Sequence, residues 1–534
     1  GGETDAGGVG EVLLNRVLPR NIYTWIDTNE RPLTHPNNAF SKGNPKLIAA
    51  MLGAADDVEK NRIIDFVHGD DAYDEDLDFV MAEKRRWILG AFLHSRPVVV
   101  HYDDTTSVIY AGANDGMLHA FLDSDGSELW GFVPPDLLGK LKLLNGATLE
   151  YFVDGAPKAT IIDNDGDGTV EPQDGDQVIL VFGQRRGGDH YHALDVTNPY
   201  EPRYLWEISP ELPDYSEMGQ SWSTPTVGQL RIGVDDRLVV FLGGGYDPNQ
   251  DGDPVVGPDT MGRGIYVVDL FDGTLVWNYT NSDSPEMAYS IPSDIAAVDI
   301  NEFSQGYIDR LYVGDTGGQM WRADIDDPDP SKWTVKPIFD DSASGRKIFY
   351  PPDVVLEYGY EMLFWGTGDR ANPKNKTIIN RIYAVNDKDP LSPLTETNLL
   401  DVTDNLVQDG TDQQKSDTLD ALNSQDGWYV DLDENPGEKV LAPSIVYFGA
   451  VYLTTFTPTA GDPIDPCYVG EGTARLYALD YKTAAAVLNF DETSSDLEKS
   501  DRSETIGSAI PSGMVIAIIR GEGASYIGVG GGIF

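Results

Sequence analysis

The sequence predicts an all-β chain folded as a β-propeller of about seven blades, with a small N-terminal helical or mixed segment and long inter-blade insertions. Three observations lead there. Turn formers abound, with 56 Gly and 33 Pro in 534 residues, and short Val/Ile/Tyr-rich runs alternate with Gly/Asp/Asn/Pro clusters, as in many short strands joined by tight turns. A motif recurs along the chain: a β-run, a Gly/Asp turn, then aromatic-x-apolar-Asp, and such self-similarity marks repeat architectures. Helical spacing of apolar residues, by contrast, is confined to residues 44–92.

Taken in order, the opening GGETDAGGVG reads as a flexible linker, and no charged n-region with an apolar h-region begins the chain. A signal peptide, and an upstream domain, are expected to have been lost before residue 1. Three stretches then carry apolar residues three or four apart, PKLIAAMLGAA, EKNRIIDFVHG and LDFVMAEKRRWILGAF, which predicts helices. Residues 1–92 are therefore read as linker and helical or mixed cap, and 93–534 as the propeller. Copies of the strand motif fall at 108–121 (VIYAGANDGMLHAF), 178–196, 238–277, 310–325, 362–387 and 451–481, and VIAIIRGEGASYIGVGGGIF supplies the last strands. One such hairpin cannot bury both of its faces, whereas four-stranded sheets set radially cover one another. The count of seven requires one blade assembled from both ends of the chain. Segments 326–350 and 387–425 read as polar insertions, and loops of that length more often carry binding surface than core.

Charge narrows the function classes. Asp and Glu number 88 against 38 Lys and Arg, a formal charge of −50, which repels nucleic acid and anionic lipid and favours divalent cations. A single cysteine, Cys467, excludes an intrachain disulfide framework and a multi-thiolate metal site. No apolar run approaches the ~20 residues of a membrane span. Among seven histidines, His190 and His192 alternate in HYH, without a third ligand in sequence to make a transition-metal site. G-x-S-x-G, H-E-x-x-H and the phosphate-binding P-loop are all absent.

The sharpest chemical signal is DNDGDGTVEPQD. Asp163, Asp165 and Asp167 alternate, Gly168 stands where a sharp turn is needed, Thr169 can offer its carbonyl, Val170 packs inward and Asp174 closes a twelve-residue loop. Hard oxygen donors at this spacing wrap Ca²⁺, and so many carboxylates repel one another unless a cation joins them. The flanks KATII and QVILVFG are strands instead of helices, and position twelve is Asp instead of Glu. An affinity of roughly 10⁻⁴ to 10⁻³ M is expected. A weaker candidate is DPNQDGD, where Asp247, Asn249, Asp251 and Asp253 alternate without a closing acid.

The strand motifs and acidic loops together resemble the PilY family of type IV pilus tip-associated proteins. The matching stretches are WILGAFLHSRPVVV, IYAGANDGMLHAF with WGFVPPDLL, YFVDGAPKATIID, HYHALDVTNP, DRLYVGDTGGQMWRADI, LFWGTGDR and GWYVDLDENPGEKVLAPS followed by VYLTTFTP. They run in family order from about residue 60 to the C-terminus. The resemblance implies a modified seven-bladed propeller at a pilus tip or cell surface, reached through the periplasm. It also implies a role in pilus biogenesis and extension, in surface adhesion or twitching motility, with minor pilins and an unidentified surface as partners. It places a calcium loop before RLYVGDTGGQMW, at Asp299, Asn301, Phe303 and Asp309. Phe303 brings no side-chain oxygen there, and Asp309 falls two residues late. The family's integrin-type Arg-Gly-Asp tripeptide is absent.

Two other readings compete with a non-enzymatic pilus protein. GANDGMLHAF and RLYALDY also resemble the repeat of quinoprotein dehydrogenases, which carry PQQ beside Ca²⁺, but the Thr-Gly…Trp continuation is imperfect in LFDGTLVW and DSDGSELW, and one cysteine cannot form a vicinal pair. The other is a carbohydrate-binding or scaffold propeller unconnected with pili.

Overall fold

The computed structural model describes residues 7–29, 31–252, 254–255, 258–301, 306–459, 472–490, 495–519, 522–529 and 532–533. Phe303, Asp253 and Cys467 lie outside the described residues. Among those described, six sheets of four or five strands and two C-terminal strand pairs, Val515–Ile519 with Glu522–Tyr526 and Gly528–Val529 with Gly532–Ile533, make up the architecture. Contacts divide the chain into a first unit, 1–227 with 238–245 and 266–278, and a second, 228–237 with 246–265 and 279–534.

In the first unit, the first sheet runs in the order Ile22–Tyr23, Glu128–Phe132, Leu118–Leu122, Ser107–Gly112, Val98–His101. Its opening strand pairs parallel with Glu128–Phe132, so residues ahead of 92 contribute a strand to this sheet. The second sheet keeps chain order, Lys158–Ile162, Gln177–Gly183, Tyr191–Asp195, Arg203–Ile208. Gln177–Gly183 is buried along nearly its whole length, as a continuous apolar run covered on both faces predicts. In the second unit, Ala296–Val298, Arg310–Gly314, Gln319–Asp324 and Thr334–Asp340 form one sheet. Two more follow, spanning 353–431 and 439–507.

The recurring motif has a physical basis in these sheets. Its terminal Asp closes the hairpin turn with its own side chain: Asp195 accepts from the Thr197 amide at 3.0 Å, Asp269 from Phe271 at 2.9 Å and Asp480 from Thr483 at 2.9 Å, the Asx turn that favours Asp over Glu. A β-bulge interrupts the pairing of the motif strand with the strand after it at Ala120/Phe121, Ala193/Leu194, Met320/Trp321 and Ala474/Arg475. One extra residue sharpens the local twist each time. Tryptophans then clasp one sheet to the next: Trp130 Nε1 donates to the Pro199 carbonyl, Trp206 to Leu270 and Trp428 to Tyr481.

The helical segment is smaller than its periodicity predicts. Asp57–His68 is a helix, with the Asp56 carboxylate accepting the Val58 and Glu59 amides and left-handed Gly69 ending it. PKLIAAMLGAA yields only the 3-10 turn Ala49–Leu52. LDFVMAEKRRWILGAF forms no helix: Leu77 and Phe79 take positive φ, and Asp74 and Asp78 draw the Phe79 and Val80 amides on to their carboxylates. Side chains that bond nearby backbone outcompete the helix here. In the 326–350 insertion, Thr334–Asp340 proves to be a strand completing its sheet. The 387–425 insertion carries the helix Asp412–Ser424, started by a Thr411/Gln414 capping box.

Candidate metal centre

The 163–174 loop joins Lys158–Ile162 to Gln177–Gly183, two paired strands of the second sheet. Its shape follows from local chemistry. Gly166 and Gly168 take φ of 74° and 84°, conformations that admit Gly at little cost. Asp163 accepts the Gly166 amide at 2.8 Å and the Gly168 amide at 2.9 Å, and Asp167 accepts the Thr169 amide at 2.8 Å. The Val170 amide donates to the Tyr102 carbonyl at 2.8 Å, and its side chain packs against the core, anchoring the loop.

Asp163, Asp165 and Asp167 each present an oxygen within 4.8 Å of the other two. An all-oxygen donor set of this kind suits a hard cation such as Ca²⁺. Electrostatics registers the crowding. The Gly168 and Gly166 amides hold the Asp163 carboxyl below the usual range. At Asp165 the Asp167 amide pulls the same way, yet desolvation and the charges of Asp167 and Asp163 leave this carboxyl above its ordinary value. Desolvation, then Asp174, Asp167 and Asp165, push Glu171 up as well.

Asp174 does not join the three-carboxylate group. It ends the turn Pro172–Asp174, and the buried residue that closes the loop is Asp176, whose oxygens accept the Asn164 amide at 2.9 Å and the Glu171 amide at 3.0 Å. The Asp-Gly-Asp run at 174–176 carries that signal in sequence.

At the second candidate, Asp247 caps the turn Pro248–Asp251 and spends its oxygens on the Asn249 amide and on Thr260, while Asp251 accepts the Tyr246 hydroxyl. These residues form no three-carboxylate group among those described. At the family position, Asp309 folds back on the start of its loop and accepts the Ile300 and Asn301 amides at 2.9 and 3.1 Å. This brings Asp309 to Asp299 and Asn301. Burial, opposed by those amides, raises the Asp309 carboxyl, and Asp299 adds to the rise.

Sequence reasoning missed one acidic loop. Asp71, Asp74 and Asp76 form a further group, as do Asp76, Asp78 and Glu83; Asp78 foremost raises the Glu83 carboxyl. The alternation of Asp74, Asp76 and Asp78 is the signal that would have found it, masked by apolar residues spaced as in a helix.

Comparison with known proteins agrees with the fold. Residues 99–352 match the PilY1 beta-propeller domain. The type IV pilus biogenesis factor PilY1 homolog of Xylella fastidiosa is 28% identical over 424 residues, covering 71% of this chain and 26% of that protein. PilY1 of Pseudomonas aeruginosa strain PAO1 is 27% identical over 420 residues, covering 68% of this chain and 33% of that protein. The chain thus spans about a quarter to a third of the curated relatives it matches. The crystal structure of the Pseudomonas aeruginosa PilY1 C-terminal domain is similar with a TM-score of 0.58 at 21% identity, over 80% of this chain and 92% of that one. In the matched domain, in its β-propeller fold and in the order of its strand motifs, this chain is similar to the PilY1 proteins.

Proposed function

We propose that this chain is the calcium-binding propeller of a type IV pilus biogenesis factor, carried outside the cell at a pilus tip, where it supports pilus extension and surface contact. The observation that carries this reading is the match of residues 99–352 to the PilY1 beta-propeller domain, together with relatives named type IV pilus biogenesis factors. The role is one of binding and mechanics. Rigid four-stranded sheets form a platform, exposed insertions contact a surface, and another face meets minor pilins. Ca²⁺ joins Asp163, Asp165 and Asp167, which otherwise repel one another across less than 4.8 Å, and so stiffens the loop between two strands of the second sheet.

Deleting the encoding segment from its host tests the pilus reading: loss of surface pilin from sheared cells, restored by complementation, is the expected result, and undiminished pilin overturns it. A metal inventory of chelator-free protein tests the calcium reading; near-stoichiometric calcium supports it, and calcium-free protein overturns it.

A further inference from the structure

The second unit carries a cleft of about 400 Å³ lined by residues that include Gln250, Tyr289, Lys347, Asp369, Asn380 and Lys439, a size within the roughly 300–1,000 Å³ of small-molecule sites. Lys347 and Lys439 are 8% and 1% exposed, and no other lysine is buried among the described residues. Taking an ammonium group out of water is costly unless it is paired, so two of them at one cleft require an account.

Lys439 is fully used. Its Nζ donates to the carbonyls of Pro373, Asn375 and Gly437 at 2.9, 2.8 and 2.6 Å, all three of its protons, and so holds the loops that wall the cleft. Lys347 is not. Its Nζ donates to the Gln250 carbonyl at 3.1 Å and to Asp369 Oδ2 at 2.8 Å, which leaves one proton over. The wall behind it is tied down: Gln250 Nε2 donates to Asp259 Oδ1 at 2.6 Å, and Asp259 Oδ2 accepts the Ser290 amide at 2.6 Å and the Thr316 hydroxyl at 3.1 Å. Asn380 donates to the Glu438 carbonyl at 2.8 Å. The half-buried Tyr289 ring lies against Gly317, where an added Cβ would come within 2.2 Å of it.

Ligand classes can be removed one by one. An anion finds little to hold it: Lys439, whose ammonium pKa burial lowers to about 8, has no proton left to donate, and Asp369 stands 2.8 Å from the one ammonium that keeps a proton to spare. The formal charge of −50 opposes an anion from a distance as well. The positive charge of Lys439 and the spare Lys347 proton oppose a cation, and an apolar ligand would leave that proton unpaired. A neutral polyhydroxylated ring remains, since each hydroxyl both donates and accepts and its C–H face suits an aromatic side chain. We propose that this cleft binds a saccharide, one neutral pyranose whose hydroxyls bridge Asp369 and Lys347 beside the Tyr289 ring. This inference is independent of the calcium loop and of the pilus reading.

Saturation-transfer NMR on the full chain tests it, with glucose, galactose, mannose and N-acetylglucosamine as probes and sodium phosphate and acetate as anionic controls. Transfer to at least one sugar is expected, weakened by about tenfold or more in Asp369→Asn and in Lys347→Met, the loss of a hydrogen bond to a charged group. Should Lys347→Met lower the melting temperature, Tyr289→Leu removes the ring without touching the Lys347–Asp369 pair and is expected to weaken binding likewise. Failure of every sugar to bind, binding unchanged in Asp369→Asn and Tyr289→Leu, or displacement of the sugar by phosphate or acetate overturns the proposal.

Discussion

Arg20 donates to both oxygens of Glu128, 2.8 Å from Nε to Oε2 and 2.7 Å from Nη2 to Oε1, across 108 residues of chain. Both side chains are buried, and His119 joins them, with Nδ1 2.9 Å from Glu128 and Nε2 3.1 Å from Asp115. The N-terminal segment is thereby bolted to the first sheet by a buried ionic network in addition to the Ile22–Tyr23 strand. Removing one partner leaves a buried charge uncompensated, at a cost of about 3–5 kcal/mol. Arg20→Met is expected to lose that much in denaturant unfolding followed by tryptophan fluorescence; an unchanged midpoint contradicts the network.

The same network sets a pH dependence. Burial pulls the His119 imidazole down, but Asp115 and Glu128 outweigh it and raise its pKa to about 9, above about 6.5 for an unfolded histidine. The native state therefore binds the extra proton, so this stabilisation is full below about pH 6.5 and is lost as pH rises through about 9. Melting temperatures of wild type and His119→Gln are expected to converge between pH 7 and 10. A constant difference across that range rules the protonated histidine out.

Asp315 gives a slope of the same sign at lower pH. Fully buried, it accepts from the Gly317 and Gln319 amides and from Trp321 Nε1, yet burial still pushes its carboxyl up to about 7. An acid that keeps its proton longer in the native state than in the unfolded chain makes stability fall as pH rises from about 4 to about 7. Asp315→Asn should flatten this slope, read as melting temperature against pH; parallel curves for both proteins would exclude a raised carboxyl.

Trp206 clasps the Leu270 carbonyl at 2.9 Å, and its ring lies over Gly273, where a Cβ would come within 2.8 Å and φ is +71°. Trp206→Phe leaves that carbonyl unpaired and is expected to cost about 1–3 kcal/mol. Gly273→Ala adds a steric clash to a left-handed strain of about 1–2 kcal/mol. Both are measured by denaturant titration, and either variant matching wild type removes the clasp from the account.

For the acidic loop, Ca²⁺ at tenfold excess over its dissociation constant is expected to add about 1.4 kcal/mol to wild-type stability. The Asp165→Ala/Asp167→Ala double variant should lose that increment while melting as wild type does in EDTA. A calcium-dependent shift of full size in the double variant would sink the site.

What the sequence determined by itself is local. The Asx aspartates at 195, 269 and 480, the glycines that turn the 163–168 loop and the Asp56 cap all act within a few residues, so their consequences are legible in one dimension. The alternating carboxylates of Asp163, Asp165 and Asp167 belong here too, because an i, i+2, i+4 spacing suffices to gather them. Repetition of the strand motif carried the fold class, since each copy needs the same cover.

Tertiary structure decided the remainder. Thr334–Asp340 reads as polar insertion and becomes a strand because Gln319–Asp324 offers it an edge to pair with, and strand propensity follows such context. Residues 77–92 have helical spacing but turn on their own aspartates and on Gly69, whose carbonyl takes the Arg85 amide at 2.9 Å. Asp176 outdid Asp174 because its burial let it collect two amides. The Arg20–Glu128 bolt and the cleft between Lys347 and Lys439 join residues tens to a hundred apart. Their energies come from desolvation and from pairing across space, quantities that no spacing along the chain encodes.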